Sequence, residues 1–159
     1  MIFIALGTQK FQFNRLLSIV DDLIEKKVIN EPVLAQVGYS NYKPKYFETI
    51  DFLSQHDFHQ QIIACDLLIT HGGVGSIING LKFNKKVIVF PRLSKYKEHV
   101  DDHQQEIAKK YYELGYVLYA TDENSLSKAI LESKTFSSTY RIQSNVSIEH
   151  LIMEYLEND

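Results

Sequence analysis

The chain has 159 residues, 45% of them hydrophobic, which is enough to bury the core of one domain of common size. Its formal net charge of -3 at pH 7 excludes the overall basic field that attracts nucleic acid. Its single cysteine, Cys65, excludes an intrachain disulfide and suits a reducing cytoplasm, and no apolar run reaches the about 18 residues of a membrane span.

Apolar runs of strand length alternate along the chain with segments of helical periodicity, which indicates βαβ units and a parallel sheet. Strands are predicted at Ile2–Leu6, Pro32–Val37, Lys45–Ile50, Leu67–Thr70, Lys86–Phe90 and Tyr116–Tyr119. Helices are predicted at Phe13–Lys27, Phe58–Ala64, Ser76–Phe83, Asp101–Leu114, Asn124–Ser133 and Ser147–Glu157. These elements predict a single α/β domain over residues 1–159, built on a doubly wound, Rossmann-like parallel sheet of about six strands.

A glycine-rich turn follows the fourth predicted strand and is the most informative segment of the chain. The strand leads directly into His71-Gly72-Gly73-Val74-Gly75-Ser76 and then into a helix-compatible stretch. Glycine lets backbone N–H groups approach a ligand closely, and a helix start leaves N–H donors and a positive dipole end unsatisfied. The turn therefore suits a phosphate or diphosphate. The alternative is a tight strand-to-helix turn that needs glycine only for its backbone angles and packing.

Three familiar motifs do not fit this turn. A dinucleotide fingerprint needs a third glycine where Ile78 stands and an acidic residue where Ser94 stands. A Walker loop needs a lysine before its serine or threonine, whereas Ser76 follows Gly75 directly. His71-Gly72-Gly73 is similar to an esterase oxyanion loop, but the chain has no Gly-x-Ser-x-Gly nucleophile elbow. These absences exclude a fingerprint-type NAD site, a P-loop and a serine hydrolase.

Two further loops are expected beside the glycine turn, because ligands of doubly wound sheets bind beyond the carboxyl ends of the strands. Thr8 and Gln9 in the first loop can donate hydrogen bonds to a phosphate, or Thr8 can cap the turn. Arg92, after the fifth strand, can offer a planar fork to a phosphate or carboxylate, or it can pair with Glu98.

The rest of the loop after the fifth strand combines carboxylate, imidazole and amide groups. Four of its side chains suit recognition of sugar or ribose hydroxyls: Glu98, Asp102, His103 and Gln104. His99 and His103 have the spacing of a metal pair on one helical face, but no glutamate follows His99 as in H-E-x-x-H, so no metal is expected. Asp101 or Asp102 can instead cap the helix that follows.

Three ordered segments together resemble a known family: Leu6–Gln9, His71–Ser76, and Pro91-Arg92 with Glu98–Gln104. On these residues the chain resembles the C-terminal domain of glycosyltransferase family 28 over nearly its whole length. It is most similar to the short members, which include the catalytic subunit of the two-part UDP-N-acetylglucosamine transferase of N-glycan assembly and PssE-like capsule and exopolysaccharide subunits. The resemblance implies the half of a GT-B glycosyltransferase that binds a UDP-sugar, with no cofactor beyond this donor substrate.

The resemblance also implies roles for individual residues. The set expected to face the diphosphate is Gly7, Thr8, Gln9, His71, Gly72, Gly73, Val74, Gly75 and Ser76, and the set expected to face the sugar is Glu98, Asp102, His103 and Gln104. Many relatives carry a ribose-binding glutamate where this chain has Asn79, which can bind one hydroxyl but lacks the bidentate charged grip. His71 is the candidate catalytic residue, as a contact to the leaving group, and a structural hydrogen bond is the alternative.

The function implied by the resemblance is inverting transfer of a sugar from a UDP-sugar to a lipid-linked acceptor in capsule or exopolysaccharide synthesis. A membrane-associated partner would bind the acceptor, so the chain would be cytoplasmic and held at the inner face of the membrane through that partner. Two alternatives remain open. One is a non-catalytic accessory subunit that stabilises a catalytic partner, and the other is a free-standing nucleotide-binding module without an apolar patch at the rim of its cleft.

Overall fold

The computed structural model describes residues 1–141, so the helix predicted at Ser147–Glu157 lies outside the described residues. Six parallel strands form one sheet in the order β3-β2-β1-β4-β5-β6. The strands are β1 (Ile2–Ala5), β2 (Val33–Gln36), β3 (Glu48–Ile50), β4 (Leu67–Thr70), β5 (Lys86–Val89) and β6 (Leu118–Tyr119). This is the doubly wound, Rossmann-like sheet that the alternation of strands and helices predicts.

Helices cover both faces of the sheet. They are α1 (Asn14–Glu25), α2 (Gln55–Ala64), α3 (Val74–Lys82), α4 (His103–Glu113) and α5 (Glu123–Ser133), with a short 3-10 helix at Ser94–Tyr96. Alternate residues of β1 point to opposite faces: Ile2 and Ile4 join the core cluster that holds the apolar side of α1 and α5, whereas Phe3 and Ala5 join the cluster under α2, α3 and α4.

The central position of β1 and β4 follows from their composition. Both strands are apolar over nearly their whole length and every residue in them is buried, as expected for strands covered on both faces. They pair directly, with Ile2 beside Leu67 and Ala5 beside Thr70. The order of the strands reverses between them, so the loops that follow β1 and β4 leave the sheet side by side. This is the crevice in which doubly wound sheets bind ligands.

Five strands are shorter than the hydrophobic pattern predicts, and two of them, β3 and β6, begin two or three residues late, each for a local reason. β3 was predicted from Lys45, but the backbone N–H groups of Lys45 and Tyr46 donate to the carboxylate of Asp21 at 2.9 and 3.0 Å instead of to a neighbouring strand. β6 was predicted from Tyr116, but the N–H of Tyr116 donates to the carbonyl of Tyr111 and closes the end of α4. In both cases another part of the fold accepts hydrogen bonds from N–H groups that the predicted strand would have used to pair with its neighbour.

The five described helices begin one to three residues from the predicted starts, and polar side chains explain the shifts of α2 and α4. α2 starts earlier, at Gln55, because Ser54 caps it by accepting a hydrogen bond from the N–H of Asp57 at 3.1 Å. α4 starts at His103, whose N–H donates to Asp101 at 3.1 Å. In the part of the chain that the structure describes, no helix is both long and apolar enough to cross a bilayer.

Candidate functional site

An open cavity of about 480 Å³ lies at the carboxyl ends of β1, β2 and β4, where α2 and α3 begin. Its lining combines glycines, amides, hydroxyls, imidazoles and two apolar side chains: Gly7, Thr8, Gln9, Gln36, Leu53, Gln55, Phe58, His59, His71, Gly73, Gly75, Ser76 and Asn79. The cavity therefore occupies the position that sheet topology predicts for a ligand.

His71 lines the cavity. Its side chain is buried, and its Nδ1 lies 3.3 Å from Oε1 of Gln104. Burial, the neighbouring Arg92 cation and, more weakly, His99 lower the pKa of His71 to about 4, although the hydrogen bond with Gln104 opposes them. The imidazole is therefore neutral near pH 7, and it can act there as a hydrogen-bonding group but not as a cation.

The glycines around His71 differ in the space that surrounds them. Gly7 has φ +80°, and a Cβ at Gly7 or Gly73 would overlap the ring of His71. A Cβ at Gly72 would lie 2.5 Å from the Cβ of Gln104. A Cβ at Gly75, in contrast, would meet no atom within 4 Å. Packing thus explains the glycines at positions 7, 72 and 73, but it does not explain Gly75, which faces the cavity.

The first turn of α3 is available to an anion. Its N-cap residue is Gly73, which gives no side-chain cap, and the first turn has no acidic residue. α2, which begins at the same cavity, has both a capping side chain at Ser54 and an acidic residue, Asp57, in its first turn. The N–H groups and the positive dipole end of α3 are therefore the better site for a phosphate.

The structure brings together most of the residues that the glycine turn and the first loop contribute. Eight of the predicted site residues line the cavity: Gly7, Thr8, Gln9, His71, Gly73, Gly75, Ser76 and Asn79. Gly72 and Gln104 pack against each other behind His71, and Val74 is the first residue of α3. The alternative of a turn that needs glycine only for its own geometry does not account for Gly75.

Arg92 and Glu98 lie in the interior instead of in the cavity. Arg92 is 1% exposed, and its guanidinium donates to the backbone carbonyls of Leu6, Phe11 and Glu98 at 2.6, 2.9 and 3.0 Å. The carboxylate of Glu98, also 1% exposed, accepts from the guanidinium of Arg15 at 2.9 and 3.0 Å. The expected phosphate fork and sugar contact are therefore replaced by contacts that join the first loop, α1 and the loop after β5.

Asp102 and His103 stand at the start of α4, outside the cavity lining. The carboxylate of Asp102 accepts a hydrogen bond from the N–H of Ser94 at 2.8 Å, and this bond lowers the pKa of Asp102. Asp102 gives α4 no side-chain cap and instead ties its start to the 3-10 helix. Asp101, the other expected cap, accepts from the N–H of His103 at 3.1 Å. His103 contacts Glu106 at 3.4 Å. Over residues 1–141, no three His, Cys, Asp or Glu side chains are grouped closely enough to hold a metal ion.

Sequence reasoning missed the part of the cavity contributed by β2 and by the start of α2. These residues are Gln36, Leu53, Gln55, Phe58 and His59. Ser54 followed three residues later by Asp57 is a recognisable helix start and would have placed the beginning of α2 here. Gln36 stands out as a polar residue at the end of an apolar strand.

A second cavity of about 240 Å³ lies at the opposite edge of the sheet, by the amino end of β5. Lys85 and Lys86 line it, but each already donates to a backbone carbonyl, Lys85 to Ile63 at 2.7 Å and Lys86 to Lys134 at 3.2 Å. None of the residues predicted to bind a ligand lies there. The cavity at the carboxyl edge is therefore the candidate site.

Comparison with known proteins identifies a family for the chain. The model of the glycosyltransferase family 28 C-terminal domain matches residues 1–153. The UDP-N-acetylglucosamine transferase subunit ALG13 of Saccharomyces cerevisiae is 40% identical over 91 residues, which are 56% of this chain and 43% of the yeast protein. A Prochlorococcus marinus UDP-N-acetylglucosamine--N-acetylmuramyl-(pentapeptide) pyrophosphoryl-undecaprenol N-acetylglucosamine transferase is 27% identical over 118 residues, 72% of this chain and 31% of that protein.

Solved structures show the same fold. The solution structure of ALG13 superposes with a TM-score of 0.63 at 26% identity, covering 94% of this chain and 93% of that one. The Acinetobacter baumannii MurG structure has a TM-score of 0.51 at 13% identity, covering 85% of this chain and 45% of that one. The chain spans less than half the length of the yeast and Prochlorococcus relatives that it matches.

Proposed function

We propose that this chain is the donor-binding subunit of a two-component inverting glycosyltransferase that uses a UDP-sugar. The chain belongs to the glycosyltransferase family 28 C-terminal domain family. One observation carries the proposal. The uncapped start of α3, together with the open position at Gly75, faces the cavity at the strand-order reversal. That arrangement suits the diphosphate of a nucleotide-sugar.

Diphosphate binding at this position also provides a way to promote the reaction. When the sugar leaves its donor, negative charge develops on the departing UDP. The backbone N–H groups and the dipole of α3 are already oriented toward that position and would stabilise the charge without reorganising. His71, being neutral, would contribute a hydrogen bond to the leaving group or position the glycines beside it. The base that activates the acceptor hydroxyl would come from the acceptor side.

The relatives favour N-acetylglucosamine as the transferred sugar. The names of the yeast and Prochlorococcus relatives both specify a UDP-N-acetylglucosamine or N-acetylglucosamine transferase, and the second includes a pyrophosphoryl-undecaprenol acceptor. A UDP-sugar donor and a lipid-linked acceptor are therefore the preferred substrates. Capsule or exopolysaccharide synthesis rests on the resemblance to PssE-like subunits alone, since neither of these relatives names it.

A partner that binds the acceptor is favoured by the surface at the carboxyl edge of the sheet. Exposed apolar side chains follow β2, β3 and β5 at the same edge of the sheet: Tyr39, Phe52, Tyr96 and Val100. Tyr39 and Phe52 contact each other edge to face at 5.3 Å. A free-standing nucleotide-binding module would not need such residues at its rim, whereas a subunit completed by a membrane-associated partner would. The proposed location is the cytoplasmic face of the membrane, through that partner.

Co-expression with a candidate partner tests the proposal against the accessory alternative. Membranes carrying both proteins are assayed for transfer from radiolabelled UDP-N-acetylglucosamine to lipid, with the wild-type chain and with the variants Gly73→Asp and Gln60→Asp. We expect Gly73→Asp to abolish transfer while Gln60→Asp, at an exposed position of α2, retains it. Transfer that persists in Gly73→Asp, with the partner still bound, would establish an accessory role.

A further inference from the structure

Gln36, the last residue of β2, places a buried amide in the cavity. Its side chain is 4% exposed, and its Oε1 is fully buried with no hydrogen-bond donor among residues 1–141. Buried amide oxygens almost always have a partner in a folded protein. An orphaned amide that lines a cavity therefore points to a ligand that supplies the missing hydrogen bond.

The strand does not need this amide for its own structure. The backbone carbonyl of Gln36 already accepts from the N–H of Leu6 at 3.1 Å, and Gln36 pairs in register with Ala5 and Ile50. Its chain neighbours Ala35 and Val37 are buried apolar residues. A buried apolar side chain at position 36 would therefore continue the pattern of β2 and avoid the cost of an unpaired oxygen.

The position of Gln36 indicates which part of a ligand it meets. β2 lies on the opposite side of β1 from β4, and hence away from His71 and the start of α3. The cavity residues that follow β3 near Gln36 include the apolar Leu53 and Phe58 and the amide of Gln55. Apolar walls with a few amides suit a group with flat apolar faces and polar edges, whereas a diphosphate would take the N–H donors of α3.

We infer that the Gln36 side chain hydrogen-bonds the nucleoside part of the nucleotide-sugar donor and sets the affinity for that part. This inference rests on the proposed function. An amide offers an acceptor and a donor side by side, so Gln36 can pair with a ribose hydroxyl or with the polar edge of a base. Gln36 is then a binding residue whose amide is retained for the ligand at the expense of stability.

Isothermal calorimetry with the full chain tests this assignment. Gln36→Met removes the amide and keeps a side chain of similar length, and Gln60→Met makes the same change at an exposed position of α2. The probes are UDP by direct titration and inorganic pyrophosphate by displacement of UDP. We expect Gln36→Met to weaken UDP binding about tenfold or more and to leave the pyrophosphate affinity unchanged. Its thermal midpoint should equal or exceed that of the wild type, and Gln60→Met should match the wild type throughout.

The possible failures are distinguishable. Wild-type affinity for UDP in Gln36→Met would overturn the assignment and leave the proposed function standing. A lowered thermal midpoint, or an equal loss of UDP and pyrophosphate binding, would show that Gln36 supports the fold of the site and would also overturn it. A wild-type chain that binds neither probe would remove the proposed function itself and the assignment with it.

Discussion

Two polar regions lie at the carboxyl edge of the sheet, and they differ in how far protein groups satisfy their hydrogen bonds. Around Arg92, the buried cation is surrounded by backbone carbonyls and Glu98 is paired with Arg15. In the cavity, the amide oxygen of Gln36 has no donor among the described residues, and the start of α3 has no side-chain cap. In the first region Nε of Arg92 lacks an acceptor among the described residues, but Arg92 does not line the cavity, whereas the unsatisfied groups of the second region do.

Residues of one sequence motif can have different roles, some at the cavity and some in the support of the fold. Arg92 and Gly73 belong to the same family resemblance, and both residue types suit a phosphate. The difference emerges only when the partners of each polar atom are known. Arg92 donates hydrogen bonds to the carbonyls of Leu6 and Phe11, at the two ends of the loop that carries Gly7. It therefore holds the loop that carries Gly7 in place, and it does not line the cavity.

The largest effect is expected from Arg92→Met, which removes the guanidinium that donates to three backbone carbonyls. The substitution leaves the carbonyls of Leu6, Phe11 and Glu98 without their donor, and buried unpaired acceptors cost about 1 to 3 kcal/mol each. The free energy of unfolding, measured in urea, should fall by at least about 3 kcal/mol. Lys128→Met, on the exposed side of α5, is the control and should change little. Unchanged stability with lost UDP binding would instead return Arg92 to the ligand site.

The next effect is a pH dependence that His71 imposes on stability. Its pKa is lowered from 6.5 to about 4, mainly by burial, so the unfolded chain takes up this proton at a higher pH than the folded chain. Stability from this group is fully present above pH 6.5 and is lost as the pH falls toward 4. The loss should be of order 3 kcal/mol.

Urea unfolding of the wild type and His71→Gln between pH 7 and pH 4 measures this contribution. The variant should show a flatter pH dependence in that window, whatever its stability at pH 7. His56→Gln, which removes an exposed histidine, should keep the wild-type slope. Parallel curves for wild type and His71→Gln would show that His71 is not held neutral by its surroundings.

Ser76→Asp tests whether the start of α3 binds the diphosphate. The carboxylate would lie in the first turn of α3, where a negative charge stabilises the helix by about 0.3 to 1 kcal/mol. The same charge would repel a diphosphate, so UDP affinity should fall about tenfold or more while stability rises slightly. Ser76→Asn is the neutral control. If Ser76→Asp binds UDP as the wild type does, the diphosphate is not at the start of α3.

The smallest effect is expected from Gly75→Ala. A Cβ at this position meets no atom within 4 Å, and alanine is favoured over glycine in a helix by about 1 kcal/mol. Thermal unfolding should therefore shift upward by a few degrees. Calorimetry should show weaker UDP binding, because the added methyl group enters the cavity. Gly80→Ala is a contrasting variant, since its Cβ would press on Leu68 and Val87 and lower stability. Unchanged UDP affinity in Gly75→Ala would place the ligand elsewhere.

The sequence predicted the architecture well because the signals for it are local. Apolar runs such as Leu67–Thr70 identified all six strands, and helical periodicity identified the five helices that the structure describes. The errors at β3 arose from a contact distant in sequence, in which Asp21 accepts from the N–H groups of Lys45 and Tyr46. Nothing in the sequence near Lys45 indicates a hydrogen bond to Asp21, so the start of β3 could not be predicted.

The site was predicted less completely, also for a physical reason. Its glycine turn and first loop were recognised from residue types that suit a phosphate. Gln36 was missed because nothing in its immediate sequence shows that its amide lacks a partner. Glu98 was placed in the site because a carboxylate suits sugar hydroxyls, and only its pairing with Arg15, 83 residues away along the chain, shows its structural use.

The most direct test of the account is a calorimetric titration of the purified chain with UDP and with ADP, for the wild type and Gly73→Asp, alone and with the candidate partner. The account predicts heat for UDP that exceeds that for ADP and that Gly73→Asp abolishes, because the aspartate would meet the ring of His71 and place a negative charge at the start of α3. No nucleotide binding by the wild type, even with the partner present, would contradict the claim that this cavity holds the donor.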